Sequence, residues 1–249
     1  MGAVVLAISG SLRKRSFTEK MLDLCLEGMG AGLDVHKFYP HRMNIGPCTS
    51  CWSCWDSKSP GECVQKDDFQ QIIEVYKRAD YFLLAAPLYV FDFPATVKNM
   101  IDRFFVILEP AQLESASGQT THPLRWGRHP KTVLISSCGF PELDNFDILR
   151  RHFRLICEHM AMTWAGELLI PASGIARAPK LFDGKYDLIR AAGAELVRGG
   201  ISPETTAAIA APVMAAADYR RLATLSFEGT LTAKARMAMI ALKAMSDRK

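Results

Sequence analysis

Residues 3–8, Ala-Val-Val-Leu-Ala-Ile, form an aliphatic run without a polar position. Such a run predicts a strand buried on both faces of a parallel sheet. The period then changes. In "FTEKMLDLCLEGM" the apolar residues Met21, Leu22, Leu24, Cys25 and Met29 recur at helical spacing, and Gly30 and Gly32 close the predicted helix. "LDVHKFY" reads as a short second strand. Asp67 and Asp68 then put negative charge at the start of a helix, "FQQIIEVYKRA". "DYFLLAAP" is a third strand, "ATVKNMIDRFFVIL" a helix entered after Pro94, and "KTVLISSCG" a fourth strand. "FDILRRHFRLICEHMA" offers Ile148, Phe153, Leu155, Ile156 and Met160 for the buried side of a helix, and "TWAGELLIPAS" is a fifth strand. The polar stretch between Glu109 and Pro130 reads as a loop.

Strands alternating with helices predict an α/β domain with a parallel sheet. Five strands fit a flavodoxin-like order as well as half of a Rossmann fold, and either one places a ligand at the carboxyl ends of the strands. From Pro179 onward the chain becomes Ala-rich and helical, with no further strand pattern. The expected division is therefore an α/β domain over 1–178 and a helical extension over 179–249. In the tail, Leu231, Ala235, Ala238, Met239 and Leu242 fall at helical spacing. That stripe is expected to pack on its own domain or on a sister subunit rather than lie on a membrane surface.

Composition adds bounds. The chain has 249 residues, 49% of them hydrophobic, enough for one substantial core. The net charge of +4 is small and no nucleic-acid signature appears. It is not uniform: residues 219–249 carry seven Lys and Arg against two Asp and Glu. The start has no basic region ahead of its apolar run, and "YFLLAAPLYVF" is too short to span a bilayer. The expectation is a cytoplasmic protein with no transmembrane segment. In that compartment clustered thiols are read as metal ligands or redox groups rather than as disulfides.

Two loops carry candidate chemistry. "SGSLRKRSFT" joins the first strand to the first helix and offers hydroxyls at Ser9, Ser11, Ser16 and Thr18. Hydroxyls and N–H groups at a helix N-terminus suit a phosphate, and Arg13, Lys14 and Arg15 add positive charge. The turn is neither a dinucleotide fingerprint nor a Walker A loop; a terminal monophosphate such as that of FMN fits it. After the third strand, "APLYVFDFPATVKNMIDRF" offers Tyr89 or Phe91 to a flat heterocycle.

These stretches, together with "SSCGFPELDNF", resemble the NAD(P)H-dependent FMN reductase family, and within it the iron–sulfur flavoprotein branch. The resemblance covers roughly residues 3–175 and implies a flavodoxin-like five-stranded parallel sheet with helices on both faces, here followed by the C-terminal helical extension. It implies that Ser9, Ser11, Arg13, Ser16, Phe17 and Thr18 hold the FMN phosphate. Pro87, Leu88, Tyr89, Val90 and Phe91 would line the isoalloxazine, with Ser137, Cys138, Gly139 and Phe140 at its other edge. Cys138 is read as a small buried residue at a strand end rather than a reactive thiol.

Cys48, Cys51 and Cys54 are spaced C-x2-C-x2-C, and Cys63 returns after eight intervening residues. Such a set can enclose a 4Fe–4S cluster or a zinc ion, or remain as free thiols. The resemblance implies the cluster, although the last gap is longer than expected for cluster-binding members. Trp52 and Trp55 would shield it or pack the loop on a neighbouring subunit. His152 and His159 lie too far apart on one helix to share an ion, and His122 falls in the long loop, where it could cover the flavin.

The implied function is an FMN-dependent oxidoreductase. NAD(P)H or a reduced protein donor would reduce FMN, and quinones, free flavin or a one-electron acceptor would oxidise it. FMN carries the chemistry, so no catalytic side chain is assigned. The alternative is an electron-transfer module exchanging electrons with ferredoxin-like partners. A zinc-stabilised protein without flavin is a third reading. A homodimer or homotetramer is expected from the resemblance.

Overall fold

The structure is a computed structural model, and it describes residues 2–246 apart from 57, 59, 116, 117, 128, 177 and 178. In chain order the elements are β1 (Val4–Ser9), α1 (Phe17–Met29), β2 (Asp34–Phe38), α2 (Phe69–Tyr76), β3 (Tyr81–Ala85), α3 (Ala95–Arg103), β4 (Leu113–Glu114), β5 (Thr120–Thr121), β6 (Lys131–Ser137), α4 (Asp147–His159), β7 (Thr163–Ile170), α5 (Asp183–Arg198), α6 (Pro203–Ala210), α7 (Ala216–Glu228) and α8 (Leu231–Ser246). Five strands form one sheet in the order β2-β1-β3-β6-β7, every neighbour pairing parallel. This is the doubly wound flavodoxin-like order. The stretch expected to be a loop between Glu109 and Pro130 carries a short antiparallel ladder between β4 and β5. Two residues per strand are too few to leave a period-two pattern in a sequence.

The strands alternate between two cores. Val5 and Ala7 of β1, Leu83 of β3 and Val133 and Ile135 of β6 face one, with α1 and the C-terminal helices. Leu6, Ile8, Leu84 and Leu134 face the other, with α2, α3 and α4. Since both sets are buried, residues 4–8 of β1 and all of β3 read as unbroken apolar runs.

Helix α5 lies directly on α1. An added Cβ at Gly193 would stand 2.1 Å from the Cys25 carbonyl oxygen, and one at Gly28 would stand 1.9 Å from the Arg190 carbonyl oxygen. The two backbones therefore touch, and Ile189, Ala192 and Leu196 of α5 join the core around α1. Helix α6 opens with Ser202, whose hydroxyl accepts from the Thr205 N–H at 3.1 Å, followed by Pro203. Helices α7 and α8 are joined at Gly229, whose φ of 68° is left-handed.

Helix α8 packs inward, but not through the expected stripe. Ala233 and Ala244 are buried and Met237, Ile240, Ala241 and Met245 pack beside them, whereas Leu231, Met239 and Leu242 are exposed. Small Ala side chains at 233 and 244 let this helix approach closely, with Met237 and Ile240 beside them. Among the described residues no helix is long and apolar enough to cross a membrane.

The α1–α5 contact yields a prediction. Gly193→Ala should lower stability by about 1–3 kcal/mol in urea unfolding through overpacking. Gly184→Ala, on the same helix with open space around it, should be neutral or slightly stabilising through helix propensity.

Candidate functional site

A cavity of about 390 Å³ opens at the carboxyl ends of the strands. Ser11, Arg13, Ser16, Phe17 and Thr18 line it from the first turn, Pro87, Leu88 and Tyr89 from the third, and Ser137 and Gly139 from the end of β6. The first turn is built as a helix entry. Ser16 caps α1, its hydroxyl accepting from the Glu19 N–H at 3.0 Å, the near half of a capping box. Arg15 before it is left-handed, with φ 51°. The Thr18 and Ser137 hydroxyls are 2.7 Å apart and tie the first turn to β6. Lys14, Arg15 and Lys20 join Arg13 in the lining, which includes no acidic side chain among the described residues. One side of the cavity is therefore strongly cationic and rich in donors.

The third turn is a tight reversal. The Tyr89 N–H donates to the Asp92 carbonyl and the Asp92 N–H to the Tyr89 carbonyl. Val90 and Phe91 between them are both left-handed, at φ 49° and 67°. This geometry sends their side chains outward: Val90 is 92% exposed and Phe91 about half exposed. They stand beside the cavity rather than in its lining, as does the exposed Phe140. Ser9 is buried at the end of β1, its hydroxyl without a partner among the described residues. Cys138 is buried, and its thiol donates to the Phe140 carbonyl at 3.2 Å; burial pushes that thiol up to about 11, against thiolate character.

Five lining residues were not anticipated: Lys20, Ser173, Gly174, Ala176 and Tyr186. Lys20 lies 3.4 Å over the Tyr186 ring, which brings α5 to the cavity wall. Ser173–Ala176 follow β7, and the topology alone puts the end of that strand on this edge. Tyr186 left no signal within an Ala-rich helix. The loop at 138–142 is braced from behind. The Ser173 hydroxyl donates to the Cys138 carbonyl at 2.8 Å, Tyr219 of α7 donates to the Gly139 carbonyl, and Arg220 pairs with Glu142 at 3.1 Å.

A second cavity, of about 310 Å³, is lined by Cys48, Cys51, Cys54 and Cys63 together, with Trp52, Arg103 and Phe105. Chain reversals assemble it. Ser50 and Trp52 are left-handed, at φ 50° and 60°, and the Gly61 N–H returns to the Cys54 carbonyl at 2.8 Å. Trp55 stacks on Phe105 with ring centroids 4.6 Å apart, and Trp52 meets the same ring at 5.5 Å. His122 packs on Trp55 at 4.8 Å, so it backs the cysteine loop and does not cover the first cavity. The Ser53 hydroxyl and N–H hold the exposed Cys51 thiol below its ordinary range. Burial pushes Cys54 up, and the other three sulfurs add to that.

Arg103 anchors the loop from inside. Its guanidinium is buried and donates to Asp67 Oδ2 at 2.7 Å, to the Gly46 carbonyl at 2.8 Å and to Cys63 Sγ at 3.2 Å. Asp67 was expected to serve the start of α2. It accepts the Phe69 N–H there at 3.2 Å, but its principal partner is Arg103. Burial opposes its ionisation, and the Arg103 and Gly46 hydrogen bonds outweigh that and hold the carboxyl below its ordinary value.

The donor sets can be tested against the implied groups. The first cavity pairs a hydroxyl-rich, cationic cradle with an apolar wall; the residues fit FMN. Among the described residues no three His, Cys, Asp or Glu side chains are placed to hold a metal ion. The four thiols do line one cavity, and thiolates are the donors that both an iron–sulfur cluster and zinc take.

Fold and cavity together define a flavodoxin-like protein with a cationic, hydroxyl-rich cavity at the carboxyl edge of its sheet. NADPH-dependent FMN reductases match residues 3–129, half of the chain, and the chain belongs to that family. An iron-sulfur flavoprotein from Archaeoglobus fulgidus is 36% identical over 97 residues, 39% of this chain and 43% of that protein; the chain spans about half the length of the curated relatives it matches. Among solved structures, a FMN-dependent NADH-azoreductase from Bacillus anthracis in complex with FMN has a TM-score of 0.57 at 13% identity, covering 79% of this chain and 100% of that one. An NAD(P)H:quinone oxidoreductase from Methanothermobacter marburgensis has a TM-score of 0.52 at 19% identity, covering 79% and 100%. These two show a shared fold.

Arg103→Met should cost about 3–5 kcal/mol in urea unfolding, because it leaves Asp67 without its counter-charge. The pH dependence has a definite sign. A depressed folded-state pKa stabilises above the unfolded value, so that contribution fades as pH falls below about 4. Unfolding curves across this range should show the acid loss in the native chain and a smaller loss in Arg103→Met.

Proposed function

We propose that the chain is an FMN-dependent oxidoreductase, its FMN phosphate held in the first turn and its ring against the third. The observation that carries this is one cavity with hydroxyls, four cationic side chains and a helix N-terminus on one side and Pro87, Leu88 and Tyr89 on the other. Ser11, Ser16 and Thr18 would donate to the phosphate together with the first N–H groups of α1. Arg13, Lys14 and Arg15 would neutralise its charge. Pro87, Leu88, Tyr89, Ser137 and Gly139 would fix the ring and exclude water from its buried edge, with Ser9 and Cys138 beneath them. FMN, once held there, would supply hydride and electron transfer between NAD(P)H or a reduced protein donor and a quinone, a free flavin or a one-electron acceptor. The protein binds and orients the partners, and no side chain is assigned as acid or base.

Cys48, Cys51, Cys54 and Cys63 would hold a 4Fe–4S cluster, which would supply one-electron transfer. Two features support this: the four thiols share one cavity, and the matching relative is named an iron-sulfur flavoprotein. The same features favour a second reading, an electron-transfer module that serves ferredoxin-like partners without NAD(P)H activity. In both readings residues 1–178 carry the cofactors in the cytoplasm, and 179–249 brace them. The exposed apolar rim of Val90, Phe91 and Phe140 beside the cavity would be covered by a second copy in a homodimer or homotetramer.

An absorption spectrum taken without oxygen, followed by addition of NADH or NADPH, tests these readings. Flavin bands that bleach with either nucleotide support the oxidoreductase. Bands that bleach only with a reduced ferredoxin support the electron-transfer module. No flavin bands after FMN is added back would overturn both. Ser16→Ala should weaken FMN binding about tenfold in a fluorescence titration, the loss of one charge-assisted hydrogen bond. Cys51→Ala should remove the iron and the broad absorbance beneath the flavin bands and leave those bands in place.

A further inference from the structure

The outward face of α8 is apolar in its centre and basic along both edges. Leu231, Met239 and Leu242 are 83%, 62% and 65% exposed, and Ala235 and Ala238 complete the stripe in solvent. At 3.6 residues per turn, Lys234 lies about 90° to one side of the stripe, and Arg236 and Lys243 about 100° to the other. The opposite face, centred on Ala233 and Ala244, is committed to the core. At the preceding turn Phe227 is 89% exposed. Alongside runs a groove of about 560 Å³ between α7 and α8, lined by Arg221, Arg236 and Met239 and by Arg220, which also pairs with Glu142, with Glu228 as its one carboxylate among the described residues.

We infer that this face seats the protein on an anionic lipid bilayer, with α8 lying in the interfacial plane. The stripe and Phe227 would enter the acyl boundary. Lys234, Arg236 and Lys243 would reach back to the headgroups, where long basic side chains are favoured at the edge of an apolar face. The arginine groove would take lipid phosphates, and residues 219–249, with seven basic against two acidic residues, would be drawn to a negative surface. Charge selects this occupant over the others. A two-fold contact with a second copy would set the same basic edges against each other. A nucleic acid would satisfy the cations but leave Phe227, Leu231, Met239 and Leu242 in water. The inference uses no property of either cavity, so it stands apart from the proposed redox reading.

Flotation of the full chain with vesicles tests it. The chain should float with phosphatidylcholine vesicles containing about one-third phosphatidylglycerol, remain behind with pure phosphatidylcholine, and release as salt rises to about 0.5 M. The triple variant Lys234→Gln, Arg236→Gln, Lys243→Gln should bind about a hundredfold more weakly. A second triple variant, Leu231→Ser, Met239→Ser, Leu242→Ser, should lose binding while its circular dichroism and thermal midpoint stay unchanged, since all three residues are exposed. Failure to float with the mixed vesicles overturns the inference. If the serine variant also lowers the molar mass in light scattering, the face is instead a contact between copies. Equal flotation with both vesicle types would likewise overturn it, because charge would then play no part.

Discussion

A parallel sheet buried on both faces leaves its polar groups few places to go. Strands β1, β3 and β6 are covered above and below by separate cores, so hydroxyls, charges and free N–H groups gather at the strand ends. In this chain the carboxyl end collects Ser9, Ser11, Ser16, Thr18, Ser137 and Ser173, at the last residues of β1 and β6 or in the segments that follow a strand. Burial of the strands and polarity of the cavity are thus two results of one constraint. The close crossing of α5 on α1 belongs to it as well. Two helices can cover one face of the sheet only if they fit side by side, and glycines at 28 and 193 let them.

Much of this was legible in the sequence because it repeats locally. The five strands appear as runs such as Val4–Ser9 and Tyr81–Ala85, and the first turn shows its hydroxyls at Ser9, Ser11, Ser16 and Thr18. What could not be read required distant residues to meet. Tyr186 reaches the cavity only because α5 crosses α1, and Arg103 reaches the cysteine loop only because α3 ends beneath it. The α8 stripe makes the same point. Its spacing is helical, but periodicity identifies an apolar face without saying which neighbour covers it. Within one chain the inner face belongs to Ala233, Met237, Ile240 and Ala244.

The cysteine loop has little regular structure, yet it is not loosely attached. Buried Arg103 joins Gly46, Asp67 and Cys63, and the Trp52, Trp55 and Phe105 rings close over the other side. Cys63 is therefore held by a charge network within, and an aromatic cluster steadies the other side of the loop, while Cys48 and Cys51 stay exposed. Such a surround sets solvent access and local field at the sulfurs, the two levers a protein holds over thiolate chemistry.

The reversal from Tyr89 to Asp92 carries a different message. Two consecutive left-handed residues are the geometry for which Asn-Gly is the easiest solution, yet here the pair is Val-Phe, one β-branched and one aromatic. Each pays in backbone conformation for a position that its side chain does not use for packing. A sequence drifting under selection for stability alone would lose both within a few substitutions. The tip is therefore a place where a library screened for thermal resistance and one screened for turnover should diverge, the first accumulating Asn and Gly, the second keeping bulk.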